Sequence, residues 1–214
     1  VPYLPVGVHL AVVDPGVGTA RRPIAILCAR GDVLVGPDNG LLSLAAERLG
    51  GIVAALLLDN PALWRPQVSS TFHGRDLFAP VAAHLAAGVP YTKVGSPLDP
   101  ADVVSLDLPE PMRREDGIDT SVLFVDTFGN CRLAGSSADL GRGSPPQPGR
   151  RFRAVLPQRE IDLTWVPTFG EVRPGDPLLY EDADYAGLAL AINQGSAADA
   201  FGLTLDSPVL IRRA

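Results

Sequence analysis

The sequence predicts an α/β domain followed by a small all-β barrel or sandwich. Up to about residue 93, short β-branched runs alternate with helical patterns. A proline-studded stretch over 94–117 reads as a linker, and from 118 to 214 strand-like runs are broken by Gly, Pro and Asp turns.

In the first part, 9–13, 24–28 and 33–35 read as strands, each apolar and bounded by Gly, Pro or Asp. Residues 41–49 have apolar side chains at helical spacing, with Gly50 and Gly51 as a stop signal, and 51–58 reads as a buried strand. The clearest helix is 76–88, with Leu77, Val81, Ala82 and Leu85 on one face and Pro80 in its first turns, where proline is tolerated. In the second part the strand-like runs are 121–125, 151–156, 177–180, 188–192 and 209–211, and 196–201 is the helix candidate. Residues 136–149 are rich in Gly, Pro and Ser and read as a loop.

Composition narrows the function. The 214 residues are 46% apolar with a net charge of −6, an ordinary globular balance whose acidity disfavours a nucleic-acid partner. The longest apolar run, 52–58, is too short to span a bilayer. Two cysteines, Cys28 and Cys131, make no disulfide framework, and a reducing cytoplasm fits best. The chain opens on Val1 within what reads as a loop feeding a strand, so further sequence is expected upstream.

Four segments carry candidate chemistry. Asp14 ends an apolar strand and opens the glycine-rich turn Asp14-Pro15-Gly16-Val17-Gly18, followed by Arg21 and Arg22. It reads either as a functional acid or as the cap of a tight turn. Gly16 and Gly18 lack the third glycine or the lysine of a phosphate loop. In Pro37-Asp38-Asn39-Gly40 the favoured role of Asp38 or Asn39 is structural, as the N-cap of the helix that follows. Phe72-His73-Gly74-Arg75-Asp76 concentrates polar groups before the second helix. Asp76 has a structural duty as N-cap or first-turn acid, whereas His73 has no such duty and is evenly balanced between a functional role, catalytic or ligand-binding, and none. No histidine has metal-ligand spacing. In Asp126-Thr127-Phe128-Gly129-Asn130 an asparagine could pair with an adenine edge and a phenylalanine could stack on its face, or the segment is a plain β-turn.

Taken together, "VVDPGVGTARR", "GPDNGLL", "STFHGRDLFAPVAAHLAAG", "VDTFGN" and "LALAINQGSAA" resemble the S-adenosylmethionine hydroxide adenosyltransferases (SAM hydrolases), relatives of the halide-using fluorinases and chlorinases. The resemblance covers nearly all the chain. It implies attack of water at the ribose C5′ of S-adenosyl-L-methionine, giving adenosine and methionine without a metal or other cofactor. The water would be held by an Asp–Arg–His triad at Asp14, Arg21 and His73. Halide-using relatives have tyrosine at the position of Asp14 and lack the His73-Gly74 pair. The resemblance places Phe128 and Asn130 at the adenine and Asp126 at the methionine amino group. Phe72, Gly74, Asp184 and Tyr185 would line the ligand, although "EDADYAGLA" departs from the family's Ser-x-Gly character there. It also implies a homotrimer with sites between subunits. Family members begin with a βα unit whose aspartate binds the ribose hydroxyls, and this chain starts after that unit. Two alternatives remain: a 5′-halo-5′-deoxyadenosine synthase, or a non-catalytic module binding adenosyl ligands.

The chemistry of such a triad has a limit. Full proton transfer from water (pKa ~15.7) to an imidazole (pKa ~6.5) would cost roughly 12 kcal/mol, so a pre-formed hydroxide is not expected from histidine alone. Asp14 and His73 would instead accept the proton as the C–O bond forms, while Arg21 orients the water.

Overall fold

In the computed structural model, residues 2–141, 143–182 and 187–214 are described. The chain is mixed α/β and divides into two compact units, Val1–Asp107 and Leu108–Ala214.

The first unit is built on a five-stranded sheet of order β1-β3-β2-β4-β5, formed by β1 (Val8–Leu10), β2 (Pro23–Cys28), β3 (Val33–Pro37), β4 (Ile52–Leu57) and β5 (Pro97–Leu98). Only the β1–β3 pairing is parallel; β2–β3, β2–β4 and β4–β5 are antiparallel. Helices alternate with strands as expected, but a four-residue turn joins β2 to β3 where a helical crossover would have made them parallel.

Side-chain alternation along β2 explains how this sheet is covered. Ile24, Ile26 and Cys28 pack with Leu42, Ala46 and Leu49 of the segment that carries α1 (Ser43–Arg48). Ala25, on the opposite face, joins Leu77, Phe78, Val81 and Ala82 from the region of α2 (Ala79–Ala86). A strand buried on both faces must be apolar at every position, and Ile24-Ala25-Ile26-Leu27-Cys28 is.

The second unit is a closed seven-stranded barrel. Its strands are β7 (Gly117–Val125), β8 (Cys131–Leu133), β9 (Arg151–Val155), β10 (Glu160–Trp165), β11 (Pro177–Asp182), β12 (Gly187–Ile192) and β13 (Pro208–Arg213). The order β13-β9-β10-β11-β12-β8-β7 returns on itself through a β7–β13 pairing, and a two-residue β6 (Met112–Arg113) pairs with β7. Closure removes the sheet edge that short strands would otherwise expose. The interior holds Ile118, Val122, Leu133, Phe152, Leu163, Leu179, Leu190 and Ile211. In β9 the alternation is plain, with Phe152 and Ala154 inside and Arg151 and Arg153 outside.

Two expected irregular stretches contain structure. The segment over 94–117 includes β5 and β6, and the stretch 136–149 opens with α3 (Ser137–Leu140). Ser136 caps α3 and Asp139 reaches back to the Ser136 amide at 2.8 Å, a reciprocal capping box that nucleates a helix in polar sequence. The last helix, α4 (Ala197–Phe201), has Ser196 as its N-cap and Gly202 in the left-handed conformation after it.

Candidate active site

The loop between β1 and β2 carries Asp14 and Arg21, whose side chains are almost fully buried. Arg21 donates to both Asp14 carboxylate oxygens, from Nε at 3.1 Å and Nη2 at 2.5 Å. The same Nη2 lies 3.1 Å from His73 Nδ1. A guanidinium can only donate, so Nδ1 accepts, and a neutral His73 ring carries its proton on Nε2. The remaining terminal nitrogen, Arg21 Nη1, is buried and has no acceptor among the described residues. The guanidinium carbon also sits 5.1 Å from the centroid of the buried Phe78 ring.

Backbone geometry brings the two loops together. Gly18 has φ +77° and packs so closely that a Cβ there would lie 2.8 Å from the Ser70 carbonyl oxygen. Glycine is therefore required twice over, by conformation and by the approach of the 69–76 segment. That segment enters one π-helical turn, Gly74–Phe78, which continues directly into α2. His73 precedes the turn without capping it, which leaves the imidazole to Arg21.

Of the two structural duties expected of it, Asp76 takes that of the first-turn acid, not the N-cap, and it is also a buried anchor. Its carboxylate accepts from Arg75 Nε at 2.7 Å and Nη2 at 2.9 Å, and from the Ser69 amide at 2.9 Å. These bonds, Arg75's foremost, hold its carboxyl well below the usual carboxylate range against the opposing effect of burial. Phe72 is 58% exposed, with the Arg75 guanidinium 5.0 Å from its ring centroid. Gly74 stands at the start of the π turn.

Nor do Asp38 and Asn39 cap α1, whose N-cap position is Leu42 with no side-chain bond. Asp38 is buried and accepts from Arg22 Nε at 2.7 Å and from the Val104 amide at 2.8 Å. Asn39 instead donates to the Val13 carbonyl at 2.9 Å.

In the second unit, Asp126 organises the turn between β7 and β8. Its carboxylate accepts from the Phe128 and Asn130 amides at 2.8 and 2.9 Å and from Asn130 Nδ2 at 2.8 Å. Burial pushes the Asp126 carboxyl up, and the bonds from Asn130, Phe128 and Gly129 outweigh it, so the acid is held below its ordinary range. Gly129 has φ +82°, and a Cβ there would strike Ser196 Oγ at 2.1 Å, so this turn is seated against the N-cap of α4. Phe128 is left 78% exposed.

Asp126 and Asn130 line a cleft of about 420 Å³ together with Phe124, Arg132, Tyr180, Asp182 and Ala189. The last five were not singled out in the sequence. Phe124 carried one available signal, because a large aromatic stood in a strand meant to be half inward. A register shift between Val122 and Phe124 turns it outward, leaving it 57% exposed. Arg132 and Asp182 form an ion pair across the cleft wall, and burial pushes the Tyr180 hydroxyl up to about 12. Asp184 and Tyr185 lie outside the described residues.

Residues 1–95 match the SAM hydroxide adenosyltransferase N-terminal domain and residues 120–210 match its C-terminal domain. The chain belongs to the SAM hydroxide adenosyltransferase family. Among that family's curated members, it is 49% identical to the (R)-S-adenosyl-L-methionine hydrolase of Salinispora tropica over 95% of this chain and 74% of that protein. It is 43% identical to the enzyme of the same name from Thermus thermophilus, covering 97% of this chain and 77% of that one. The fluorinase of Actinoplanes is more distant, at 29% identity over 99% of this chain and 79% of its own length. Among solved structures, an uncharacterized conserved protein from Thermotoga maritima superposes with a TM-score of 0.89 at 32% identity, covering 99% of this chain and 79% of that one.

Proposed function

We propose that this member of the SAM hydroxide adenosyltransferase family hydrolyses S-adenosyl-L-methionine to adenosine and L-methionine, with Asp14, Arg21 and His73 holding the attacking water. Two similar relatives bear the name of that activity, and their identities of 49% and 43% exceed the 29% of the fluorinase. The observation that carries the mechanism is the buried Arg21 Nη1, a donor beside a carboxylate and an imidazole with no acceptor among the described residues. A water oxygen meets that need.

The reaction is a displacement. A lone pair of the water oxygen forms the bond to C5′ as the C5′–S bond breaks, and that electron pair goes to sulfur and neutralises the sulfonium. The leaving group is neutral methionine, which needs no acid, and the reading calls on no metal or other cofactor. One water proton must depart. With His73 Nδ1 engaged by Arg21, the acceptor capacity lies with the second lone pairs of the Asp14 oxygens. This narrows the sequence expectation, in which Asp14 and His73 shared the proton: His73 keeps Arg21 in place and can offer its Nε2–H. Transfer follows C–O bond formation, because the oxygen grows acidic only as it attacks, and the carboxylate then passes the proton to solvent. Alignment of water opposite the sulfonium supplies much of the acceleration.

On this reading the cleft bounded by Asp126 and Asn130 takes the adenosyl ligand, with Phe128 stacked on the adenine and Asp126 near the amino group. Phe72, Gly74, Asp184 and Tyr185 are proposed to complete the lining. The exposed aromatics Phe72, Phe124 and Phe128 fit a homotrimer whose sites form between subunits, which light scattering on the purified protein tests. The substrate partner is a small molecule and the compartment proposed is the cytoplasm; among the described residues no helix is long and apolar enough to cross a membrane.

The function is tested by incubating the protein with S-adenosyl-L-methionine and chloride and recording product masses. Adenosine is expected, and a halogenated adenosine would identify the halide-using chemistry instead. Asp14→Ala and His73→Ala should each lower adenosine release at least tenfold while calorimetric binding of the substrate survives. Wild-type rates from both variants would remove the assignment.

A further inference from the structure

In the turn Gly36-Pro37-Asp38-Asn39-Gly40 neither Asp38 nor Asn39 takes the N-cap duty expected of it, since α1 has no side-chain cap. Its two polar side chains reach instead to opposite ends of the loop that bears Asp14 and Arg21. Asn39 Nδ2 donates to the carbonyl of Val13, the residue before Asp14, at 2.9 Å. Asp38 takes the Nε of Arg22, the residue after Arg21, at 2.7 Å, and the Asp38 amide donates to the Arg22 carbonyl at 2.9 Å. Adjacent residues of one turn thus grip both flanks of the segment 14–21.

We infer that this turn is a clamp that positions the Asp14–Arg21 pair for the displacement, and that Asn39 is a positioning residue for the reaction. The inference rests on the function proposed above. Asn39 touches neither Asp14 nor Arg21 by its side chain; it acts through the peptide plane between Val13 and Asp14, whose orientation sets where the Asp14 carboxylate begins. Its two functional ends have separate work. Oδ1 accepts from the Leu41 amide at 3.2 Å and fixes the side chain, which leaves Nδ2 aimed at Val13. Asp38 has the greater structural load, being buried and bonded also to the Val104 amide, so its removal would disturb folding. Asn39 is exposed and makes its tie at the surface, so it can be altered without opening the core.

The loop needs such a tie. Among the described residues, its backbone-to-backbone bonds between Asp14 and Arg21 are the local turns Val17 to Asp14 at 3.2 Å and Thr19 to Gly16 at 3.1 Å, and the Thr19 hydroxyl adds local ties to the Gly16 carbonyl and the Arg21 amide. Beyond β1, the last sheet-like bond is the Ala11 amide to the Val35 carbonyl at 3.0 Å. Asn39 extends that attachment by two residues, to the edge of the reacting group. A displacement that depends on a water aligned within a fraction of an ångström is sensitive to this kind of support.

The test is Asn39→Asp, which keeps the acceptor for Leu41 and loses the donor to Val13, alongside Asn39→Ala. Both should lower kcat about tenfold with KM within twofold of wild type and the melting temperature within a few degrees. In crystal structures of both variants, the Val13–Asp14 peptide should rotate and the two-point Asp14–Arg21 contact should be lost or lengthened. An unchanged kcat in both variants, or losses of kcat that track losses of stability, would overturn the inference. If the wild-type protein releases no adenosine, the proposed function fails by itself, and the crystal structures still decide whether Asn39 sets the Asp14–Arg21 geometry; an unmoved pair would refute the clamp.

Discussion

Arg21 grips the Asp14 carboxylate through Nε at 3.1 Å and Nη2 at 2.5 Å, and the second hydrogen of that Nη2 is directed to His73 Nδ1, 3.1 Å away. One nitrogen therefore joins a loop that follows β1 to a turn that precedes α2. The arrangement spends three of the five guanidinium hydrogens on Asp14 and His73 and leaves the two on Nη1 without an acceptor among the described residues.

Arg21 is accordingly the residue whose loss should do most damage. Arg21→Ala strands a carboxylate whose side chain is 6% exposed, and breaking such a pair costs about 3–5 kcal/mol. Arg21→Lys keeps the charge but cannot bond both oxygens and the imidazole together. Adenosine release should fall at least 100-fold in both variants, and thermal melts should show the alanine variant less stable than the lysine one. Equal melting temperatures for wild type and Arg21→Ala would contradict the buried pair.

Gly18→Ala isolates the contact between the two loops. The new Cβ meets the Ser70 carbonyl at 2.8 Å in a backbone conformation with φ +77°. The left-handed conformation alone costs roughly 1–2 kcal/mol, and the clash moves the 69–76 segment that carries His73. Reduced stability with a larger proportional loss of kcat is expected from melts and steady-state rates. Wild-type behaviour in both would show that the loops do not meet there.

Phe128→Ala separates binding from stability. The ring is 78% exposed, so the melting temperature should not move. Stacking on a base is worth about 1–3 kcal/mol, so KM for S-adenosyl-L-methionine should rise roughly tenfold or more while kcat changes less. An unaltered KM would take Phe128 out of the adenine site.

Acid should loosen the first unit through Asp76 and Asp32. The Arg75 bonds hold the Asp76 carboxyl below its ordinary range, and the Arg30 bonds, followed by those of His9 and the Gly7 amide, do the same for the buried Asp32. Because both folded-state values lie below the unfolded one, the stability they contribute is complete above the ordinary aspartate pKa of about 3.9. It is lost progressively as the pH falls from there toward the folded values. Melts at stepped pH should show this loss, and Asp76→Asn should be less stable near neutrality with a shallower acid dependence. An identical acid slope in the variant would exclude Asp76 as a contributor.

Local pattern made much of the fold legible. The apolar runs at β2, β11 and β12 and the alternating runs at β9 and β13 correspond to strands, because each carries its own burial pattern. What stayed hidden depends on partners. β8 is three residues long and is a strand only because β7 and β12 flank it. β10, Glu160–Trp165, is different, because its alternation of polar and apolar residues is a local strand signal in its own right. The helix expected from 76 begins earlier, as a π turn at Gly74, since Asp76 is drawn back to Ser69 and Arg75.

The site divides in the same way. Asp14, Arg21 and His73 were each ambiguous alone, because the contact between Arg21 and His73 spans 52 positions and has no local signature. Only the resemblance of the ordered motifs brought them together in advance. Phe124, Tyr180 and Asp182 have no local signature, because a register shift in β7 and the lateral order β11-β12-β8-β7, not composition, set them around one cleft.

If water held by Asp14, Arg21 and His73 attacks C5′ of S-adenosyl-L-methionine, the solvent oxygen ends on the adenosine. The measurement is a single-turnover reaction in ¹⁸O-labelled water, with mass spectrometry of both products. Adenosine carrying one ¹⁸O at its 5′ oxygen and unlabelled methionine are expected, at a rate reduced at least tenfold in Asp14→Ala. Absence of adenosine, or adenosine without the label, would contradict attack by water.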